Sequence, residues 1–483
     1  MRPLLPRIDA SPTFHKSSNS PWVSAGCFIS KHAAAVSAAL GVLFWIYRSQ
    51  IYSGDGDQLT RMVEGGVVFV QTELLSQAVF HFAYQILRPW GWDGFSVINL
   101  VSCIAGAFTV WALLKFNRDF IGVNPLWGLG LFASSGLLLL CTGHTEYYTM
   151  FLATLFYYGY AGVGYLRGRF SSLHAALAFS LAVWMHMGIM FAFPSLLMLP
   201  LLRKKWKDYY GLAAGLSLTA AAFIMKDYST IIGLEVHGLS PSKNFIPFFD
   251  DPSGERFYLM FEWGHLADCL YAWAARSWIF WPAIFCAAAA WGWRTLLHKE
   301  RLFLFLYTIG FTFFTLTWHP NLGVYQDWDL FALESAPCLL LLMTYLPDWR
   351  RSSFGRAALL VPIAASIAIM YFHVIEEAHF GRRGYGSLRV ELSQDLPYQI
   401  NLNGHLKDLV NPAVRQGVYE ARLRNLRHLR SHVFYTQIAP DTETRIFLLV
   451  GPDQGRGGPA RNIEDENYQK WRSSIEEEYQ KKK

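Results

Sequence analysis

The sequence predicts an all-α polytopic membrane protein with about 11 transmembrane helices, juxtamembrane helices in the first outer loop, and a small mixed C-terminal extramembrane domain. Three observations carry that expectation. The 483 residues are 53% hydrophobic and only 16% charged, against roughly 25% charged in a soluble domain, and the mean hydropathy is +0.20. Apolar runs of bilayer-crossing length recur along the chain. The polar links between them alternate between basic and acidic character.

In chain order the apolar runs fall near 33–49, 95–114, 125–141, 148–166, 172–185, 187–202, 209–225, 275–293, 302–318, 330–347 and 357–373. Runs 172–185 and 187–202 are short and meet at Met185-His186-Met187-Gly188. They read as one bent span or as two, and the alternation of link charge favours two. Residues 1–32 then form a cytoplasmic N-terminal segment, 33–373 the transmembrane domain, and 374–483 a periplasmic C-terminal region. Residues 1–30 are polar and mildly basic and lack an apolar core followed by a cleavage site, so no cleavable signal peptide is expected.

One set of links holds Arg2, Arg7, Lys16 and Lys31, then Lys115 and Arg118, Arg167 and Arg169, Arg203 to Lys207, Arg294 to Arg301, and Arg350 to Arg356. The other set is acidic: Asp55, Asp57, Glu64, Glu73, Glu146, Asp250, Asp251, Glu255, Asp327 and Asp329. The positive-inside rule places the first set in the cytoplasm. The N-terminus is then inside and the tail outside, with a bacterial inner membrane as the expected location. The net charge of +6 follows this topology and is no sign of nucleic-acid binding.

Two outer segments are long. Residues 50–94 open on an acidic Gly-rich stretch and continue through Leu74, Leu75, Ala78, Val79, Phe82, Ile86 and Leu87, whose spacing predicts an amphipathic helix at the interface. Residues 226–274 are rich in Pro, Gly and Ser and read as a loop that orders over a ligand. The tail predicts a helix at 412–433, a strand at 445–450 and a charged helical end at 463–483. The cysteines Cys27, Cys103, Cys141, Cys269, Cys286 and Cys338 show no CxxC or metal spacing and read as small buried hydrophobes.

The candidate chemistry all falls on the acidic side. Asp55 and Asp57, one Gly apart, suit a divalent cation such as Mg or Mn or a general base, although Asp-Gly is also an ordinary turn. His144 and Glu146 sit in a short link that needs only Gly and Thr to turn; helix capping is the plain alternative. His186 between two apolar runs is more often a satisfied structural residue than a ligand. His319 ends one span and Asp327-Trp328-Asp329 opens the next; Trp328 suits an interfacial belt or a sugar platform. Lys226, Lys243, Arg256 and Arg276 could meet phosphate oxygens, though each alone reads as a solvated charge.

Taken together, the early Asp55-Gly56-Asp57 loop, the amphipathic helix near 71–88, the Trp90-Gly91-Trp92-Asp93-Gly94 turn and the long outer loop after the seventh span resemble the GT-C superfamily of integral-membrane glycosyltransferases. The resemblance covers roughly residues 33–373 and rests on layout rather than on any one string. It implies transfer of a sugar from a polyprenyl-phosphate donor to a lipid, glycan or protein acceptor on the outer face, with inversion. It assigns the catalytic base or metal ligand to Asp55 or Asp57, and an acidic partner in the second outer loop to Glu146. The competing classes are a transporter, a flippase and a polymerase of lipid-linked glycans; a transporter would gather its ionisable groups near the midplane in repeated halves.

Overall fold

The computed structural model describes residues 21–49, 56–70, 72–231, 245–246, 248–249, 259–261, 263–272, 283–284, 293–318 and 328–349, and the strands 432–437 and 445–450. The expected spans 275–293 (apart from 283–284 and 293) and 357–373, and the expected helix 463–483, fall outside the described residues.

The first elements are α1 (Pro21–Lys31) and α2 (Ala33–Ile46), bent by 95° at their junction. The sequence reading had no helix in 21–31. It forms because Gly26 lets the chain lie against Asn124, whose amide donates to Trp22 O at 2.9 Å. Helix α3 (Gly56–Glu64), inside the stretch read as acidic and Gly-rich, buries Leu59 and Val63. Helix α4 (Leu74–Leu87) matches the expected amphipathic helix, but its stripe divides. Leu74 and Ala78 pack inward beside buried Ser76, Gln77 and His81, whereas Phe82 and Ile86 face out.

The long apolar helix α5 (Gly94–Phe116) starts where Asp93 accepts from Ser96 N at 2.7 Å, an N-cap. It runs on through a wider turn, Asn117–Ile121, that closes at Gly122 with φ 70. The expected 125–141 span is two helices, α6 (Pro125–Ala133) and α7 (Leu137–Cys141). The Ser134 and Ser135 hydroxyls donate back to Leu131 O and Phe132 O at 2.8 Å and break the run. Helices α8 (Tyr148–Leu166) and α9 (Ser172–Met185) follow, then a 3₁₀ stretch, Met187–Ala192, leading into α10 (Phe193–Arg203), and α11 (Asp208–Ile231). Beyond them lie α12 (Trp263–Ala272), inside the segment read as loop, α13 (Lys299–Thr317), and three short pieces in place of one span: α14 (Trp328–Ala332), α15 (Ser335–Met343) and α16 (Leu346–Trp349).

Helix α5 lies between α2 and α8, α9 between α8 and α11, and α13 against α10 and α15. Tyr158 at the centre meets Phe179, Phe303 and Tyr307 edge-on, with centroids 5.0–5.6 Å apart. Outward-facing apolar side chains recur around the bundle, among them Val42, Ile104, Phe108, Ile224, Ile309 and Phe313. A surface of that kind meets lipid rather than water. By length and composition one straight helix among the described residues, Gly94–Ile121, qualifies as a membrane span, and α1 with α2 qualify only as a bent pair. Ser172–Met185 and Met187–Arg203 are apolar but shorter, whereas α8, α11 and α13 are long enough and not apolar enough.

In the tail, β1 (His432–Gln437) and β2 (Arg445–Val450) pair antiparallel, Tyr435 opposite Phe447. β2 coincides with the expected strand. β1 corrects the 412–433 helix at its end: His432 and Val433 belong to a β-branched and aromatic run that pairs across the hairpin.

Candidate functional site

The two ends of the bundle differ in chemistry. At one end Asp119 takes Lys115, Arg118 and Arg169 at 3.4, 3.1 and 3.6 Å, with Tyr160 donating to it at 2.8 Å. Arg167 forks onto Glu300 at 2.9 and 3.0 Å, and Arg301 reaches Asp348 at 3.4 Å. These are the links read as basic. The helix α8, at ~1.5 Å per residue, carries the chain from there to the opposite end, where the acidic and histidine-bearing links meet.

The turn 142–146 is the hub of that opposite end. Ser49 N donates to Thr142 O at 2.8 Å, tying the exit of α2 to it. Gly56 lies so close to Thr145 that a Cβ there would strike its side chain and carbonyl. Ser102 of α5 donates to His144 O at 2.8 Å. The His144 Nε2 lies 2.5 Å from Asp329 Oδ2, bridging 185 positions of sequence, and both side chains are buried. Asp329 Oδ1 also accepts from Leu330 N at 2.8 Å. Glu146 is buried two residues further on. The first, second and fourth polar links thus share one wall.

The third link joins through aromatic rings and a carboxylate. His186 stacks on Phe151 (4.9 Å) and meets Tyr148 (5.7 Å), both in the first turns of α8. Its Nδ1 accepts from Gly188 N at 2.9 Å, which leaves the proton on Nε2, facing Glu73 Oε1 at 3.1 Å. Thr72 donates to the other Glu73 oxygen. Ser76 donates to Met185 O at 2.9 Å, and Gln77 joins Val67 O to the Tyr147 hydroxyl at 2.7 and 2.9 Å. Helix α4 is therefore bolted to the α9 break and to the hub. Both nitrogens of His186 are occupied in holding the chain, so it frames the site rather than offering a nitrogen to it. His186→Phe keeps the stack on Phe151 and strips both polar contacts; it is expected to cost about 1–3 kcal/mol, read as a lower melting temperature of the purified protein.

Of the residues singled out from sequence, the structure brings together His144, Glu146 and Asp329, with His186 one layer away. Asp57 lies in the first turn of α3, Lys226 in α11 and Trp328 in α14, but their side chains are outside the described set. Asp55, Lys243, Arg256, Arg276, His319 and Asp327 are outside the described residues. Four functional-looking groups were not among the site candidates of the sequence reading. Glu73 is buried and holds His186. Arg48 lies over the Trp45 ring at 3.9 Å and donates to Trp45 O at 3.0 Å, with Trp45 stacked on Trp92. Glu334 is buried, its oxygens accepting from Thr312 and Thr315 at 2.7 Å each. Asn99 on α5 is buried with neither amide atom hydrogen-bonded. An acidic residue inside an apolar run, as Glu334 is, was the one available signal; the others lack a local pattern.

Among the described residues no three of His, Cys, Asp and Glu gather closely enough to hold a metal ion. Glu73 and His186, and Asp329 and His144, are committed to each other.

No protein-family model matches the chain, and no curated protein sequence matches it. Among solved structures it is similar to the crystal structure of ArnT from Cupriavidus metallidurans bound to undecaprenyl phosphate. The two share 12% identity over 92% of this chain and 100% of that one, with a TM-score of 0.48. A likeness of that degree assigns neither a substrate nor a residue's role.

Proposed function

We propose that this chain is a membrane glycosyltransferase of the GT-C type, moving a sugar from a polyprenyl-phosphate donor to an acceptor at the face that carries the 142–146 hub. One observation carries the reading: links far apart in sequence, each rich in acids or histidine, meet at a single end of the bundle around His144 and Asp329. A scaffold has no need to bury that pair, and desolvating it is costly.

In the proposed reaction the donor's tail lies in lipid and its sugar enters beside the hub. Asp55 or Asp57, flanking the Gly56 that abuts Thr145, takes the proton from the acceptor hydroxyl. The hydroxyl oxygen attacks the anomeric carbon opposite the phosphate, the carbon–oxygen bond to phosphate breaks, and the product is inverted. Polyprenyl phosphate leaves with the bonding electrons, its charge met by cations among Lys226, Lys243, Arg256 and Arg276. His144, Glu146, Asp329, His319, Asp327 and Trp328 orient sugar and acceptor, and His186 holds the framework. A Mg or Mn ion on Asp55 and Asp57 belongs to this reading, and no step is routed through it. In this reading the hub faces the periplasm from a bacterial inner membrane, with the N-terminus cytoplasmic and the C-terminal region periplasmic; the Lys/Arg bias of the opposite links supports that orientation.

Profiling lipid-linked sugars in cells lacking the chain tests the proposal. The expected result is a build-up of one polyprenyl-phosphate sugar and loss of that sugar from an envelope acceptor, restored by the wild-type chain but not by Asp55→Ala or Asp57→Ala. Restoration by both variants removes the acidic loop from the mechanism, and an unchanged profile removes the transferase. Glu334 favours a second reading, because a transporter also buries ionisable groups between helices. Movement of the lipid-linked sugar across vesicles without any transfer product would support it.

A further inference from the structure

Among the described residues every left-handed backbone position is a glycine except one, Lys204 at φ 56. It closes α10 in a Schellman turn: Lys204 N donates to Leu201 O at 3.0 Å and Lys205 N to Pro200 O at 2.9 Å. Glycine is the residue such a turn favours, because a Cβ there is strained. The side chain kept at that cost is exposed, as are those of Lys205, Trp206 and Lys207 beside it. None of the three lysines has an ion-pair partner among the described residues, because the carboxylates of this end are already taken. Asp119 holds Lys115, Arg118 and Arg169, Glu300 holds Arg167, and Asp348 holds Arg301. Asp208 accepts from the Tyr165 hydroxyl at 2.6 Å, and Arg203 lies over that same ring at 4.7 Å.

The turn lies where two outward-facing apolar surfaces end: Leu197 and Leu201 of α10, and Leu218 and Ile224 of α11, are exposed. Trp206, 69% exposed, stacks on Tyr209 at 5.9 Å, and Tyr210 is 80% exposed. Rings with a polar edge, next to lysines and above lipid-facing leucines, match the headgroup layer of a bilayer. Three uncompensated ammonium groups there call for an anionic headgroup, since a zwitterionic one brings its own cation to its phosphate. An acidic protein or a nucleic acid would use the charge but not the apolar surface that runs up to it. We propose that the 204–210 turn docks an anionic phospholipid, whose phosphate oxygens accept from Lys204, Lys205 and Lys207 while its glycerol and upper chain pack on Trp206 and Tyr210. The surface lies at the basic end, opposite the hub, so it is distinct from the donor site and stands whether or not the chain transfers a sugar.

The test uses the full chain in detergent with bound fluorescent phosphatidylglycerol, displaced by unlabelled phosphatidylglycerol, by phosphatidylcholine of the same chains, or by inorganic phosphate. Wild type is expected to favour phosphatidylglycerol over phosphatidylcholine. Lys204→Gly should lose about fivefold of that preference, the factor one lysine contributes near a charged membrane surface. The triple variant Lys204→Gly/Lys205→Gln/Lys207→Gln should lose nearly all of it. Because glycine relieves the left-handed strain, Lys204→Gly should melt at or above the wild-type temperature. Arg88→Gln, which removes an exposed cation at the hub end, should leave the preference unchanged. A lysine that serves only to cap α10 would give the opposite pattern, a lower melting temperature with the preference intact, and would overturn the proposal. So would a wild type without preference, an equal loss in Arg88→Gln, or displacement by inorganic phosphate as effective as by phosphatidylglycerol.

Discussion

Asp329→Ala is expected to lower sugar transfer roughly 100-fold, the scale of displacing a positioning group by about an ångström, and to destabilise the protein by about 3 kcal/mol. The reason is what remains behind. His144 Nε2 has Asp329 Oδ2 at 2.5 Å and both side chains are buried, so truncation takes a buried imidazole nitrogen's carboxylate away. It also frees the start of α14 from the hub, since the other Asp329 oxygen accepts from Leu330 N. Asp329→Asn separates the two effects. Its amide oxygen still accepts a hydrogen bond from His144, so stability should recover most of the loss while transfer stays low if the carboxylate's charge matters to the reaction. His144→Ala should resemble Asp329→Ala, and the double variant should cost little more than either alone, because residues acting as one pair are not additive. Chemical denaturation gives the stabilities and a lipid-linked sugar assay the rates. Additive losses would mean that the short contact carries no coupling, and wild-type transfer in Asp329→Ala would take the pair out of the mechanism.

Much of this arrangement was legible before any coordinates. Apolar periodicity located helices α8 and α9 to the residue and α5 to within two residues, because burial in lipid or in a neighbouring helix leaves a continuous hydrophobic run. Charge sorted the links, and the ion pairs of Arg167 with Glu300 and of Asp119 with its three cations gather at the basic end. What hydropathy does not register is a break that costs no hydrophobicity. Ser134 and Ser135 end α6 through their own hydroxyls, and Leu333-Glu334 interrupts a run that reads as one span. The place of helix α3 was not legible because a Gly-Asp-Gly-Asp opening reads as a turn, and its helical character comes from Leu59 and Val63 packing on the bundle.

The site was legible in its membership and opaque in its pairings. His144 and Asp329 stood out as residue types that a span does not need, but nothing local links two positions 185 apart. Nor does any spacing announce that Glu73 would claim His186 from 113 residues away, turning a candidate ligand into a strut. Asn99 is further from reach, because its interest lies in the partners it lacks. Polar residues that a membrane helix can satisfy for itself, as Thr109 does on Ala105 O, look the same in sequence as one that cannot.

Gly143→Ala tests the hub as a piece of packing. At φ +73 an alanine backbone is strained by about 1–2 kcal/mol. Its Cβ would in addition sit 2.7 Å from Arg48 Cβ and 2.7 Å from Asn99 Oδ1, an overlap worth about 1–3 kcal/mol more unless α2 and α5 separate. Gly66 supplies the control: its φ is +88 and a Cβ there meets nothing within 4 Å, so Gly66→Ala should show the backbone term alone. Denaturant unfolding of the two variants is expected to place Gly143→Ala lower by that steric difference. Adding Asn99→Ala to Gly143→Ala should recover part of it, since one of the two clashing atoms is removed, whereas Asn99→Ala added to Gly66→Ala should recover none. Equal stabilities for Gly143→Ala and Gly66→Ala would mean that the turn is not wedged between α2 and α5, and the convergence of the outer links on residues 142–146 would lose its physical basis.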